Sequence, residues 1–360
     1  MDFYLKMKRF FWEGFGVEEC GTAAMRRAVP EWFELFYRGG ILALPWAIVR
    51  KVNRAVFAEF ACRGAEPEGA VIRKLLEEAM IGGEAFLKQG DLGWEVLPRN
   101  RVLVFDRDAN GNPTDVGLVG CHGKEGRDWF TLLERRQRDG DGRLHVCNRL
   151  FRSRSQSELG REIPLSNRFP ELPGQFVYDG IPGVGLVSLK MPMANCVDGS
   201  AEGVSFFAPA ANLIRLAEEN EAQLCREFEN GRSRLVVSRD MLRDGLLRDD
   251  LFVGLDEAPE TVGITVFAPE IRHECYLARQ QSYLRSIENV VGLKRGLLSQ
   301  VEAVDRTATE VTSSEGEYMT TILELQAVAE KAVREAAALR CLLEGTEEEE
   351  VSLSWGDGVV

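Results

Sequence analysis

Residues 305–343 read DRTATEVTSSEGEYMTTILELQAVAEKAVREAAALRCLL and contain no proline. Apolar residues recur in this stretch every three or four positions, at Tyr318, Ile322, Leu325, Ala329, Ala332, Ala336, Leu339 and Leu343. This spacing is typical of one apolar face of a helix. At a rise of 1.5 Å per residue, the predicted helix is about 50–55 Å long. Its alanines let a second backbone approach closely, so the stretch favours a shaft or ring element over an enzyme core.

The start of this helix carries a capping signal. Thr307 is followed three residues later by Glu310. Each side chain can accept a hydrogen bond from a backbone N–H that the first helical turn leaves without a partner. We therefore predict that Thr307 and Glu310 cap a helix over residues 307–345.

A polar amphipathic segment precedes the helix. Residues 272–296 read RHECYLARQQSYLRSIENVVGLKRG, and Thr-Ala-Thr-Glu follows at 307–310. Together the two segments resemble the portal (head-to-tail connector) proteins of tailed bacteriophages, especially the siphophage group once classed as minor capsid proteins. The resemblance covers about residues 30–345 and is strongest over about residues 270–330.

The resemblance implies an α+β fold of phage-portal type, in which long stem and central helices accompany a β-rich wing insert and a small α/β clip. The chain would then divide into consecutive regions: an N-terminal helical wing region (1–90), a β-rich wing and linker (91–205), a stem helix (206–232), a clip (233–269), a second stem helix (270–292), a tunnel loop (293–306), a long central helix (307–345) and an acidic C-terminal tail (346–360).

The function implied by this resemblance is that of a closed ring of identical subunits, typically twelve, at one capsid vertex. Double-stranded DNA would pass non-specifically through the ring during packaging and ejection. The expected partners are the sister subunits, the terminase large subunit, a head–tail adaptor, and capsid and scaffold proteins, with no membrane. The expected location is the virion, after assembly in the host bacterial cytoplasm.

Two groups of charged residues are candidates for contact with the passing DNA. Cations flank the implied tunnel loop at Lys294, Arg295 and Arg306. For Lys294 and Arg295, pairing with the dipole at a helix C-terminus is an equally good interpretation. Acids occupy the first stem helix at Glu218, Glu219, Glu221, Glu227 and Glu229. They would either line the channel, where their negative charge would prevent stable contacts with the DNA phosphates, or form the solvent-exposed outer face of the stem.

Composition narrows the function classes. The 360 residues carry a formal net charge of −13, which argues against a high-affinity nucleic-acid binder, because such affinity comes from Lys and Arg that neutralise phosphates. The eight cysteines are scattered without a Cys-x-x-Cys pair, a pattern typical of reduced thiols in a cytosolic setting. Residues 1–16 lack a secretory apolar region, and the longest apolar run, Ile41–Val49, is too short to span a bilayer.

No motif supports catalysis, a cofactor or a metal site. The chain has no Gly-x-x-x-x-Gly-Lys-Ser/Thr sequence, which argues against the packaging ATPase. Asp106–Pro113 resembles the front of a calcium loop, but Gly117 stands where a bidentate glutamate is needed, so we predict a hairpin turn. Cys121-His122 has no partner at metal spacing. His145 is predicted to be a satisfied sheet histidine.

The first ninety residues are predicted to be mostly helical. The aromatic and basic residues 1–16 indicate a terminal arm that packs on a neighbouring chain, or alternatively a membrane-surface helix. Helices are predicted over 18–37, 45–62 and 67–88, with a kink or break at Pro30.

Alternating patterns then predict strands over 94–97, 101–105, 115–119, 129–136, 143–151, 186–190, 234–237 and 263–267. The run of four glutamates at 347–350 reads as a solvated linker. Related portals continue with crown helices beyond this point, so we expect a truncated crown. This motivates an alternative function, a truncated or domesticated prophage-derived structural or interaction protein without a functional channel.

Overall fold

The computed structural model describes residues 2–63, 67–90, 93–232, 234–238, 252–255, 265–268, 270–300, 308–347 and 351–355. The chain is α+β and divides into two compact units. The first unit is formed by Met1–Ala211, Val291–Lys294 and Val304–Val360, and the second by Asn212–Val290 and Arg295–Ala303.

The described α-helices are α1 (Asp2–Phe15), α2 (Ala23–Tyr37), α3 (Leu44–Val56), α4 (Gly69–Gly82), α5 (Ala211–Asn230), α6 (His273–Val291) and α7 (Ala308–Glu344). The described strands are β1 (Ala61–Arg63), β2 (Glu84–Gly90), β3 (Gly93–Pro98), β4 (Val102–Arg107), β5 (Pro113–Glu125), β6 (Asp128–Arg138), β7 (Leu144–Ser153), β8 (Arg161–Ile163), β9 (Gln175–Tyr178), β10 (Val187–Lys190), β11 (Arg234–Ser238), β12 (Phe252–Leu255), β13 (Thr265–Phe267) and β14 (Ser352–Ser354).

Three sheets lie in the first unit. The largest is antiparallel with the order β4-β5-β6-β7-β8, and β9 pairs with another part of β7. A three-stranded sheet has the order β10-β2-β3, and β1 pairs with β14. The hairpins predicted at 106–113 and 139–142 are confirmed as the β4–β5 and β6–β7 connections. In both, an aspartate accepts backbone N–H bonds across the turn, Asp108 from Asn112 and Asp139 from Arg143.

Helix α7 spans 37 residues, about 55 Å at 1.5 Å per residue, where the sequence predicts a helix. The apolar stripe is mostly buried within the first unit, where α7 packs against α3, α4 and β10. Ile322, Leu325 and Ala329 are among its buried residues. The close approach allowed by the alanines is therefore used for packing inside the first unit.

The helix α2 runs through Pro30, where we predicted a kink or break. A proline inside a helix removes one backbone hydrogen bond and costs about 3 kcal/mol. Pro30 is buried together with Val29, Trp32 and Phe33, so the packing of this apolar face offsets that loss. The helix begins after Thr22, whose hydroxyl accepts the N–H of Met25 at 3.2 Å.

The predicted helices over 45–62 and 67–88 are both too long. Helix α3 ends at Val56, and α4 ends at Gly82 and is followed by strand β2. Gly83 makes this change possible because its φ of 83° is in the left-handed region that favours glycine. A Cβ at Gly83 would lie 2.4 Å from the carbonyl oxygen of Gly203. The chain can therefore turn from helix to strand while another backbone passes close by.

The aromatic N-terminus is a helix that packs on its own chain, not an arm on a neighbour. Met7, Phe10 and Phe11 in α1 are fully buried. The ring of Phe11 lies 5.4 Å from that of Phe105 on β4. The predicted contact with a neighbouring chain was wrong. The rings of α1 pack instead against residues about a hundred positions away in the same chain.

Gly117 on β5 leaves the space that Phe11 occupies. A Cβ there would lie 2.5 Å from the Phe11 ring and 2.8 Å from the Phe105 ring. We expect Gly117→Val to lower the free energy of unfolding by about 1–3 kcal/mol, because the added methyl groups overpack this contact. Gly123→Val, on the same strand with open space around it, is the control. Urea denaturation measures both, and equal effects of the two variants would contradict the assigned packing.

Part of the C-terminal tail is structured. Ser352–Ser354 pairs with Ala61–Arg63, and the Trp355 ring lies 4.5 Å from that of Phe60. Glu347 is exposed, as expected for a solvated linker, and residues 348–350 lie outside the described part of the chain.

Candidate functional site

The second unit holds two helices whose contact is fixed by buried amides. The Asn220 side chain on α5 donates to the Gln280 side-chain oxygen at 2.8 Å and to the Tyr276 carbonyl at 3.1 Å. Both amides are buried. Because a buried polar group without a partner is costly, this bond sets the register in which α5 packs against α6.

A small sheet stands between these helices in sequence. Its order is β12-β11-β13, with β12 parallel and β13 antiparallel to β11. The sequence predicts β11 and β13 but not β12. Strand β12 lies within a charged stretch, and only four of its residues are described. The arrangement is a helix, a small three-stranded sheet and a second helix.

A buried carboxylate holds the chain that leaves α6. Glu288 is 1% exposed. Its Oε1 accepts the backbone N–H groups of Gly296, Leu298 and Ser299 at 3.1, 2.5 and 2.8 Å. Its Oε2 accepts the Ser299 hydroxyl at 2.7 Å. Four donors therefore converge on one side chain, and three of them belong to non-helical backbone that has no strand partner there.

A second contact continues in the same direction. Gln281, two helical turns before Glu288, accepts the backbone N–H of Gln300 at 2.7 Å. Residues 296–300 therefore run back along α6, with the first half held at Glu288 and the end at Gln281. We call residues 293–300 the anchored segment; they are the described part of the implied tunnel loop.

The structure describes only some of the predicted cations. Lys294 is half-buried and Arg295 is exposed, both just before the part of the anchored segment that Glu288 holds. Arg306 and Thr307 lie outside the described residues, and only the helical backbone of Glu310 is described. The predicted capping box and the third cation therefore remain predictions.

The five predicted acids on α5 do not share one face. With 3.6 residues per turn, Glu218 and Glu229 lie on nearly the same side, whereas Glu219 and Glu227 point elsewhere. Glu227 pairs with Arg272 at 3.1 and 3.2 Å, and hydrogen bonding from Arg272 lowers the pKa of its carboxyl group. Glu221 is half-buried. One helix alone therefore presents no acidic stripe.

A cluster of ionised side chains is buried in the first unit. It contains three carboxylates and three cations, Glu19, Glu84, Glu202, Lys8, Arg99 and Arg107. Arg99, at the centre, is 3% exposed. The charges balance in number, which a buried group of this kind requires.

The two arginines link the carboxylates. Arg107 donates to Glu84 at 2.6 Å and to Glu202 at 2.8 Å. Arg99 lies 3.3 Å from Glu19 and 3.4 Å from Glu202. The cluster therefore joins strands β2 and β4 to two loops that are distant in sequence.

The cluster also holds the N-terminal helix. Lys8 on α1 lies 2.7 Å from Glu19, and the Tyr4 hydroxyl donates to the same carboxylate. Burial, together with the negative charge of Glu19, raises the pKa of Tyr4 well above its usual value. Tyr4 therefore stays protonated and acts as a donor.

Acid should weaken this cluster. Burial alone would raise the pKa of Glu202, but the charges of Arg99 and Arg107 lower it overall. A lowered folded-state pKa contributes stability above the unfolded-state value, about 4.3, and this stability is lost as the pH falls through the folded-state value.

We expect the urea midpoint to change little between pH 7 and about pH 5 and to decrease when the pH is below about 4. Glu202→Gln should be less stable at pH 7 and show a shallower acid slope. An equally steep slope in this variant would exclude Glu202 as a source of the acid sensitivity.

Two of the three histidines form hydrogen bonds within the large sheet and its turns. His145 bonds Asp139 at 2.7 Å, as expected for a satisfied sheet histidine. His122 bonds the Thr131 hydroxyl at 2.9 Å, and burial lowers its pKa. Among the residues that the structure describes, no group of three or more His, Cys, Asp or Glu side chains could hold a metal ion.

Sequence reasoning missed Glu288, the amide pair and the buried cluster. Glu288 lies in a polar helix among other charged residues, and its position in the sequence does not distinguish it from a solvated glutamate. Its role depends on the return of residues 296–299, which a helical pattern does not predict. The cluster joins residues from 8 to 202, and no local motif marks such distant charges.

No protein-family model and no curated protein matches this chain. Within its described part, the structure contains no helix that is both long enough and apolar enough to cross a membrane.

Proposed function

We propose that this chain is a portal subunit, one of the copies that form a ring at a capsid vertex through which double-stranded DNA is packaged and ejected. The supporting observation is the order of elements: helix α5, a three-stranded sheet, helix α6, the anchored segment and the 37-residue helix α7. If the resemblance of residues 272–310 to phage portal proteins holds, these elements would be stem, clip, stem, tunnel loop and central helix, and the strands β4–β9 would be the wing insert.

The surface of the two stem helices supports assembly. Leu277 on α6 is 50% exposed, and Leu216 and Phe228 on α5 are similarly exposed. Exposed apolar side chains that lie together are typical of a surface that another protein covers. A closed ring uses two different surfaces of each subunit, and in the proposed ring Leu277 would lie in one of them.

The contacts of the anchored segment with Glu288 and Gln281 fix the first part of the proposed tunnel loop. In the proposed ring, each copy would present Lys294 and Arg295 close to residues held by Glu288. The chain has a net charge of −13, and the described part of the loop carries two candidate cations. Such a loop would touch phosphates without holding the duplex firmly, since tight binding requires many neutralised phosphates. The terminase would supply the energy for movement.

Native mass spectrometry and electron microscopy of the purified chain test the proposal. We expect a ring with a central hole wider than a DNA duplex, which is about 20 Å across. A chain that remains a compact monomer or dimer at high concentration contradicts the proposal and favours an interaction protein without a channel.

A surface variant sharpens this test. We expect Leu277→Asp to reduce ring formation at least tenfold while leaving the circular dichroism spectrum unchanged, because a charge would be buried in the interface. Ser282→Asp, also at an exposed position of α6, is the control for an added charge. Rings of unchanged abundance in Leu277→Asp would remove this surface from the proposed interface.

A further inference from the structure

A groove between α3 and α4 in the first unit encloses about 270 Å³. Its lining residues come from three helices and are Phe36, Trp46, Arg50, Asn53, Arg54, Arg73 and Glu77. Small-molecule pockets usually enclose about 300–1,000 Å³, so this groove suits a small ligand. The proposed function assigns no role to this groove.

The charge of the groove is opposite to that of the protein. Arg50, Arg54 and Arg73 face a single acid, Glu77, within a chain of net charge −13. Arg50 and Arg54 are one helical turn apart on α3, so they lie on the same side of it. The planar guanidinium group presents a fork of donors that matches the oxygens of a phosphate or carboxylate. The groove therefore favours an anion.

Two of these arginines are already held in place. The Arg50 guanidinium lies over the Trp46 ring, 4.7 Å from its centre. Arg73 donates to the Phe57 carbonyl at 3.2 Å. A side chain that is fixed before binding loses less conformational entropy when the ligand arrives, so these contacts prepare the groove for an anion.

The uncharged lining supplies a surface for a flat ring. Trp46 is 46% exposed and Phe36 forms an apolar wall beside it. Asn53 is 5% exposed and donates to the Arg73 carbonyl at 3.2 Å. Its side-chain oxygen has no hydrogen-bond donor among the described residues.

We propose that this groove binds a nucleoside monophosphate. The phosphate would bind Arg50, Arg54 and Arg73, and the base would pack against Trp46 and Phe36. Glu77, the acid among the described lining residues, would accept hydrogen bonds from sugar hydroxyl groups. This proposal does not depend on ring assembly or on DNA passage.

Isothermal titration calorimetry of the full chain tests the proposal with three probes, adenosine 5′-monophosphate, inorganic phosphate and adenosine. We expect saturable binding of the nucleotide that weakens with added salt, at least tenfold weaker binding of phosphate, and the weakest binding of adenosine. Arg54→Gln should weaken nucleotide binding about tenfold or more, since it removes a hydrogen-bonding charge. Trp46→Ala should weaken nucleotide binding more than phosphate binding, since it removes the surface for the base as well as the ring that holds Arg50.

Arg27→Gln, at an exposed position of α2, is the control and should leave nucleotide binding unchanged. Circular dichroism spectra of the variants check that each one is folded. The proposal is overturned if the nucleotide shows no saturable binding at millimolar concentration, if phosphate binds as tightly as the nucleotide, or if Arg54→Gln has no more effect than Arg27→Gln.

Discussion

Replacement of Arg99 by methionine is expected to lower the free energy of unfolding by about 3–5 kcal/mol, because it leaves buried carboxylates without a cation. Glu19 and Glu202, at 3.3 and 3.4 Å from the guanidinium, lose a charged partner directly. The Val102 carbonyl also loses a donor at 2.5 Å. Urea denaturation followed by tryptophan fluorescence measures the loss.

Two further variants make this result specific. Arg101→Met, at an exposed position of the same short turn, should change stability by less than about 0.5 kcal/mol. Arg99→Lys should be intermediate, since it keeps the charge but cannot reach several acceptors at once. Equal stability of Arg99→Met and Arg101→Met would show that the buried cluster contributes little to the folded state.

Removal of the Glu288 carboxylate is expected to release the anchored segment. In Glu288→Ala, the N–H groups of Gly296, Leu298 and Ser299 lose their acceptor, and each buried donor without a partner costs about 1–3 kcal/mol. Solvation of the freed segment offsets part of this cost. We expect the free energy of local opening to fall by about 2–4 kcal/mol, which corresponds to roughly 30- to 1,000-fold faster amide exchange.

Hydrogen–deuterium exchange with mass spectrometry measures this effect on peptides that cover residues 293–300. Asn289→Ala, at the next and exposed position of α6, is the matched control and should leave exchange in the anchored segment unchanged. Glu288→Gln should be intermediate because it keeps one acceptor oxygen. Unchanged protection in Glu288→Ala would show that the segment is held by other contacts. Ring formation and DNA packaging by the same variant would separately report whether the proposed function requires a fixed anchored segment.

Local patterns predicted the long elements well. The spacing of Ile322, Leu325 and Ala329 predicts helix α7 because a helical period is a property of neighbouring residues. The sequence does not identify the elements that cover this face of α7, since an apolar stripe shows that a surface is covered but not by what. The same limit applies to α1, whose rings pack around Gly117, far along the chain.

The candidate site was predictable only in part. The positions of the helices α5 and α6 and of a loop after them follow from amphipathic patterns and glycines. The contact that holds the loop does not, because Glu288 differs from a solvated glutamate only through the path of residues 296–299. The seven residues of the α3–α4 groove come from three helices, so whether they lie together depends on the packing angles between these helices. The periodic pattern of the sequence does not predict those angles.

The buried cluster affects the order in which this protein can fold during its synthesis. Lys8, Glu19, Glu84, Arg99 and Arg107 leave the ribosome well before Glu202, so the nascent chain first holds three cations and two acids. One positive charge then stays unmatched until about a hundred further residues are made. Contacts between such distant residues form slowly, and early burial of the unmatched charge is unfavourable. We therefore expect the N-terminal helix to dock late, after translation has passed Glu202.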